Sequence, residues 1–407
     1  MINQLQTEKA RYNNFKALNL KLDMSRGKPA DEQLDLSMGL LDVLTSESVL
    51  KGAVDYRNYG LIDGIPEIKA IFKEILNVND NEIIIAGNSS LNIMYDSIQR
   101  GVQFGIMGEK PQKGKLKWLC PAPGYDRHFA ITEAFGFEMV VVPMNADGPD
   151  MNVVEELVKD KSVKGMWCVP KYSNPQGIVY SDNAVRRLAN LKPKAKDFRI
   201  YWDNAYMVHG LYGQDNLLDI LAESKKVNNE NIVYMFGSTS KITFAGGGVA
   251  FISASEKNIS DIKNRMSVQT IGPDKITQLA HALYFKNARG VYNHMDKHAR
   301  LIKPRFDKAL AILEEEFNGL NIISWLKPRG GYFISVETQK GLAKRTVELC
   351  KEMGVIFTPA GATFPYKLDP HDTNIRVAPT FPPIAELDTA MRVFSCAAKI
   401  AYFEKNA

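Results

Sequence analysis

Seven short runs of β-branched, aromatic and other apolar residues recur between residues 82 and 253: Ile83 to Ile85, Lys117 to Cys120, Met139 to Val142, Met166 to Val169, Phe198 to Trp202, Ile232 to Phe236 and Val249 to Ile252. They read as buried strands. Segments of helical period lie between several of them. Leu91, Met94, Tyr95 and Ile98 fall at i, i+3, i+4 and i+7, and Val154, Leu157 and Val158 follow the turn Asp147-Gly148-Pro149-Asp150. Strand and helix in alternation predict a mostly parallel sheet covered by helices on both faces.

The pattern changes after about residue 290, to a long helix from Ile302 to Phe317, strands at Gly331 to Val336, Val355 to Thr358 and Asn374 to Ala378, and a terminal helix from Ile384. This reads as a smaller α+β domain. The first forty or so residues are too few to form a domain and are expected to join it. The division expected is therefore a large domain over residues 46–290 and a small one formed by residues 1–45 and 291–407, with the cleft near the ends of the large sheet's strands.

Composition excludes several classes of function. The 51 Lys+Arg against 46 Asp+Glu leave a formal charge of only +5 over 407 residues, which gives no focused field for nucleic acid or a membrane surface. Small anionic ligands remain compatible with it. No apolar stretch reaches the ~18 residues needed to span a bilayer. The cysteines Cys120, Cys168, Cys350 and Cys396 form no C-x-x-C pair and read as reduced core thiols, so no metal site is expected and the cytoplasm is the default location.

Four junctions carry candidate chemistry. In Ala86-Gly87-Asn88-Ser89-Ser90 a strand ends and a helix opens, leaving backbone N–H groups to face an anion, although Asn88 or Ser89 could serve simply as an N-cap. Phe236-Gly237-Ser238-Thr239-Ser240-Lys241 ends a strand in small hydroxyl residues and one lysine. It lacks the G-x-x-x-x-G-K-[ST] spacing of a nucleotide loop, and suits an amine that attacks an aldehyde. Asp203, at the end of the apolar run Tyr201-Trp202, is a carboxylate that needs a partner if buried. Tyr172-Ser173-Asn174-Pro175 is a turn after a strand.

Taken in chain order, these junctions together with Pro121-Ala122-Pro123-Gly124-Tyr125, Asp203-Asn204-Ala205-Tyr206 and Asn374-Ile375-Arg376 resemble the fold-type I pyridoxal-phosphate enzymes, specifically the class I aminotransferases, over nearly the whole chain. Asn58-Tyr59-Gly60 looks like the segment that aspartate aminotransferases send into a neighbouring subunit. Ser25-Arg26-Gly27-Lys28-Pro29 and Pro123 to Phe129 are similar to a bacterial aspartate aminotransferase subgroup related to MocR-type regulators. With no room before Arg26 for a DNA-binding domain, the free-enzyme reading is preferred to that of a non-catalytic sensor.

The resemblance implies pyridoxal 5′-phosphate as cofactor, amino acids and 2-oxo acids as substrates, and a homodimer. It implies that Lys241 binds the cofactor aldehyde and moves the substrate proton, and that Asp203 pairs with the pyridine nitrogen. Asn174 and Tyr206 would hold the ring oxygen, and Tyr125 would stack on the ring. Ser89, Ser90, Ser238 and Ser240, with Tyr59 of the neighbour, would hold the phosphate. Arg376 would take the substrate α-carboxylate beside Asn174, and Gly27 would permit close approach. Two positions stay open. The arginine that many relatives carry shortly after the lysine is replaced by Gly246-Gly247-Gly248, and the cation for a distal substrate carboxylate is any of Arg26, Lys28, Arg127 or Lys171. Lyase, decarboxylase and racemase chemistry on the same fold are the alternatives.

Overall fold

Buried alternation organises the large sheet. The structure, a computed structural model, describes residues 2–52 and 54–406. Among these, eight strands lie side by side in the order Ile83–Ile85, Ala250–Ala254, Val233–Ser238, Arg199–Asp203, Val163–Cys168, Lys117–Ala122, Glu138–Asn145 and Gly148–Pro149. Only Ala250–Ala254 and Gly148–Pro149 run against the rest. Successive side chains of a strand point to opposite faces. Ile83, Ile85, Leu119, Met166, Ile200, Trp202, Val233 and Met235 accordingly enter one apolar cluster. Ile84, Trp118, Cys120, Trp167, Tyr201, Tyr234 and Phe236 enter another. Both faces are covered by helices, which is why the runs carry almost no polar residues.

All seven expected strands are present with ends shifted by a few residues, and the eighth is new. Gly148–Pro149, read from the sequence as part of a turn, pairs antiparallel with Met144 and Asn145. Asp150 then caps the helix Met151–Leu157, accepting from Asn152 N at 3.0 Å and Val153 N at 3.4 Å. The helix expected from Ile302 begins earlier and spans Ala288–Phe317, with Pro304 inside it. Asn287 provides the start, its side chain accepting from Gly290 N at 3.0 Å. Val291, Met295, His298, Ile302, Phe306 and Ala309 then form one buried stripe.

A third apolar cluster holds Ile302, Phe306, Leu313, Ile334, Val336, Leu349, Ile375, Phe394 and Phe403, with Leu5, Tyr12, Phe15 and Leu22 packed against it. Ile323–Trp325, Ile334–Thr338 and Asn374–Val377 form its antiparallel sheet. The strand expected from Gly331 starts at Ile334, because Gly331 sits at φ +79° and donates its N–H to His209 O at 3.0 Å instead of to a ladder. Leu22–Asp23 runs parallel to Val355–Ile356, and Arg11 on the helix Ile2–Ala17 reaches Glu316 at 2.8 Å. The chain's beginning is thus packed on its end. The four cysteines are buried and unpaired, and no helix among the described residues is long and apolar enough to cross a membrane.

Candidate active site

A cavity of about 520 Å³ opens where the parallel strands end, between the large sheet and the third apolar cluster. Lys241, Asp203, Asn174, Tyr206, Tyr125, Ser89, Ser90, Ser238, Ser240, Gly27 and Arg376 all line it, so every expected site residue but Tyr59 converges there. Tyr59 is 77% exposed and does not line the cavity of its own chain.

At one end sit the hydroxyls. Ser89 occupies the N-cap position of the helix Ser90–Phe104, yet its side chain makes no capping hydrogen bond, so the simple cap allowed by the sequence is not what forms. The helix's first N–H groups and the Ser89 and Ser90 hydroxyls are left facing the cavity, an arrangement suited to an anion. Ser238, last residue of its strand, donates to Ser240 Oγ at 3.0 Å across the mouth of the lysine turn.

Asp203 closes the strand Arg199–Asp203 and is buried. Its Oδ2 lies 3.0 Å from His128 Nε2, which therefore carries a proton and donates, and its Oδ1 is buried without any hydrogen-bond partner. His128 is held flat against Trp167, ring centroids 4.3 Å apart and 9° from parallel, and Trp167 Nε1 donates to Thr132 at 2.7 Å. Nothing in the sequence marks His128 for this role. It lies 75 residues from Asp203, and no spacing signals their contact.

The Lys241 side chain is partly buried, its Nζ 5.2 Å from the centroid of the Tyr206 ring, and no hydrogen bond or ion pair to it is formed among the described residues. Burial pushes the ammonium pKa down, with Asp203 opposing the shift, so the neutral nucleophilic amine is more accessible than in an exposed lysine. Burial likewise pushes Tyr206 well above the usual phenol range and Tyr125 up to about 12, Asp203 adding to both, so each ring keeps its hydroxyl proton.

Arg376 lies on Asn374–Val377. Its Nη1 donates to Asp126 at 2.8 Å and to Asn174 Oδ1 at 3.2 Å, and Nη2 donates to Thr358 at 3.3 Å. Its Nε is buried and unpartnered. The Nε–H and one Nη2–H thus remain as a side-on fork of the kind that matches a carboxylate. Below the guanidinium, 4.9 Å away, lies the Phe333 ring, and Gly27 packs on that ring. A Cβ at Gly27 would stand 2.4 Å from Phe333 Cζ. Gly27→Ala is therefore expected to displace Phe333 and lose about 1–3 kcal/mol of stability, read as a lowered Tm.

Three of the four candidate cations for a distal substrate group, Arg26, Lys28 and Arg127, line this cavity. Lys28 Nζ is 3.9 Å above the Phe381 ring. Lys171 does not join them. Its Nζ donates to Met207 O at 2.9 Å and lines a separate cavity with Trp202 and Asn204, on the other face of the strand. Burial lowers its pKa to about 8.

The fold and this cavity define a fold-type I aminotransferase. The aspartate amino-transferase family profile matches residues 1–407, and the chain belongs to that family. An aspartate aminotransferase of Corynebacterium glutamicum is 45% identical, the match covering 94% of this chain and 90% of that protein. The crystal structure of an aspartate transaminase from the same species superimposes with a TM-score of 0.96 at 44% identity, over 99% of this chain and 96% of that one. The alpha-aminoadipate aminotransferase of Thermus thermophilus, solved with N-(5′-phosphopyridoxyl)-L-leucine, shares the fold at 20% identity and a TM-score of 0.77, over 94% and 93% of the two chains.

Proposed function

We propose that the chain is a homodimeric, cytoplasmic pyridoxal-phosphate enzyme that moves the amino group of aspartate or glutamate to a 2-oxo acid in a ping-pong cycle. The observation that carries this reading is the convergence on one cavity of a desolvated lysine amine, a buried aspartate oxygen without a donor, and an arginine fork.

The residues fit the cofactor. An unpartnered carboxylate oxygen in a buried setting is costly unless a donor meets it, and a protonated pyridine nitrogen is such a donor. A helix N-terminus with serine hydroxyls suits the phosphate, and in this reading it stands in for the arginine absent from Gly246 to Gly248. When bound, pyridoxal phosphate supplies an aldehyde for the amino group and a ring that accepts the electrons released at Cα. The protein does the rest. Asp203 Oδ1 would accept from the ring nitrogen, and His128 fixes the orientation of that carboxylate. Asn174 and Tyr206 would hold the ring hydroxyl, and Tyr125 would stack on the ring. Arg376 binds the substrate α-carboxylate through Nε and Nη2, and the Lys241 amine carries the proton from Cα.

Residues 46–290 would act as the cofactor domain, and residues 1–45 with 291–407 as the smaller one; the apolar clusters follow this division for most of their members, while Val169, Tyr172, Tyr206 and Leu211 pack into the smaller domain's cluster and Val291 and Met295 into the larger one's. The dimer reading is supported by exposed apolar side chains on adjoining segments. Val268 is 90% and Ile271 62% exposed, and a Cβ on the nearby Gly272 would meet Gly60 O at 2.2 Å, beside Tyr59. Four unpaired buried thiols suit a reducing compartment.

The test is product analysis after mixing the purified protein with aspartate and 2-oxoglutarate. Glutamate is expected. Pyruvate, alanine or a D-amino acid in its place would sink the transferase reading in favour of lyase, decarboxylase or racemase chemistry. Arg376→Ala is expected to raise KM for the amino acid and the oxo acid together, by about 10²-fold, with the cofactor's visible band unchanged. Unaltered KM values would remove Arg376 from carboxylate binding.

A further inference from the structure

The turn that carries Lys241 is held by three buried imidazoles from three different parts of the chain. His209 Nε2 lies 3.2 Å from Lys241 O, and His294 Nε2 lies 2.8 Å from Ile242 O. His281 Nε2 lies 2.9 Å from Thr243 Oγ1 and 3.3 Å from Thr239 Oγ1. A carbonyl only accepts, so His209 and His294 must each carry the proton on Nε2. His281 has the opposite tautomer, because its Nδ1 faces Thr277 O at 2.8 Å and must donate there.

Without these rings the turn is incomplete. Its own backbone bonds run from Ile242 N and Thr243 N to Thr239 O, both 2.8 Å, and from Thr239 N to Val249 O at 2.8 Å. None of them uses the carbonyls of Lys241 or Ile242. The N–H sides of the Lys241–Ile242 and Ile242–Thr243 peptides are thus held by Thr239 O, and their carbonyl sides are left to the imidazoles; the first of these peptides is attached to the Lys241 Cα, from which a side chain of four rotatable bonds extends with no hydrogen bond at its end.

We propose that His209 is a positioning residue for Lys241: by donating from Nε2 to the Lys241 carbonyl it fixes the peptide from which the reacting amine extends, and His294 fixes the next one. This rests on the reading of Lys241 as that amine. His209 is 3% exposed, its Nδ1 is buried without a partner, and burial pushes its pKa down to about 3, with Lys241, His298 and Lys171 facing it as further like charges. It therefore stays neutral and holds the carbonyl without repelling the nearby ammonium. Its ring meets the edges of Tyr206 and Tyr332, centroids 5.5 and 5.9 Å away, and its own carbonyl accepts from Gly331. The donor is thereby locked on both sides.

The experiment compares cofactor-loaded wild type with His209→Leu, which deletes the donor, and His209→Gln, which can return one near the Nε2 position. His209→Leu is expected to lower kcat by about 10–100-fold with KM for the amino acid within about twofold, and to shift the pH midpoint of the Lys241-dependent visible band. His209→Gln is expected to recover most of both. A merely structural ring would lower Tm alike in both variants and leave the midpoint in place. If His209→Leu does not fold, His209→Asn, whose amide is too short to span the gap, replaces it. Equal kcat and midpoint in the donor-less and donor-bearing variants overturn the positioning role. A wild type with no Lys241-dependent band overturns the reading of Lys241 itself.

Discussion

Lys241→Ala is expected to be without the visible band that depends on a lysine amine, and to lose at least about 10⁴-fold in turnover with aspartate and 2-oxoglutarate. The size of the effect follows from the cavity. Lys28 also lines it, but its ammonium is engaged over the Phe381 ring. Lys171 sits in another cavity, on the far face of the strand that ends in Asp203. Among the described residues, no other amine combines a lowered pKa with a place beside Tyr206 and Asp203. The substitution removes a nucleophile and a proton carrier at once, so the two losses compound instead of adding. Absorbance spectra with saturating cofactor, followed by a glutamate assay, check both. A variant that keeps the band and more than about a tenth of the turnover would move the chemistry away from Lys241.

How much of this was legible in the sequence depends on range. Strands buried on both faces leave a strong local mark, since Ile83 to Ile85 or Tyr201-Trp202 must be apolar at every position, and all seven of those runs became strands. Gly148–Pro149 left none. Two residues have no period, and their pairing with Met144 and Asn145 is decided by the sheet edge they fold back upon. The helix start at Ala288 was hidden because His294 and His298 read as polar, whereas both are buried against the lysine turn and its neighbours.

The same division runs through the site. Residues at strand ends and helix starts, such as Asp203, Ser89 and Ser238, sit where the alternation of elements changes, and this is visible along the chain. Contacts that orient them are not. His128 reaches Asp203, Asp126 reaches Arg376 across 250 residues, and His209 reaches the carbonyl of Lys241. Each depends on tertiary placement. The alternation of the strand also separates two neighbours with unlike fates: Trp202 enters the apolar cluster on one face, and Asp203, one residue on, turns to the cavity on the other.

For Asp203→Asn the expected result is a fall in kcat of about 10³-fold, roughly 4 kcal/mol of transition-state stabilisation, with little change in Tm. Asparagine has nearly the volume of aspartate, so packing against the end of the sheet is kept. Its hydrogen-bonding capacity is not. Asp203 offers two acceptor oxygens, one taken by His128 Nε2 at 3.0 Å and one left for a donor in the cavity. An amide offers one acceptor and one donor. If its oxygen stays with His128, an NH₂ group points at the site of the protonated ring nitrogen. If it turns round, the NH₂ faces His128 Nε2, which accepts it only by carrying its proton on Nδ1 instead, and the ring nitrogen is left with a neutral amide oxygen in place of a carboxylate. Either way the stabilisation of charge on the ring nitrogen is lost where electrons must be accepted. The measurement is kcat at saturating cofactor and substrate, with Tm as the control for folding. A variant within about tenfold of wild-type kcat would mean that the orphaned oxygen of Asp203 has no part in the reaction, and the buried carboxylate would then need another explanation for the missing donor.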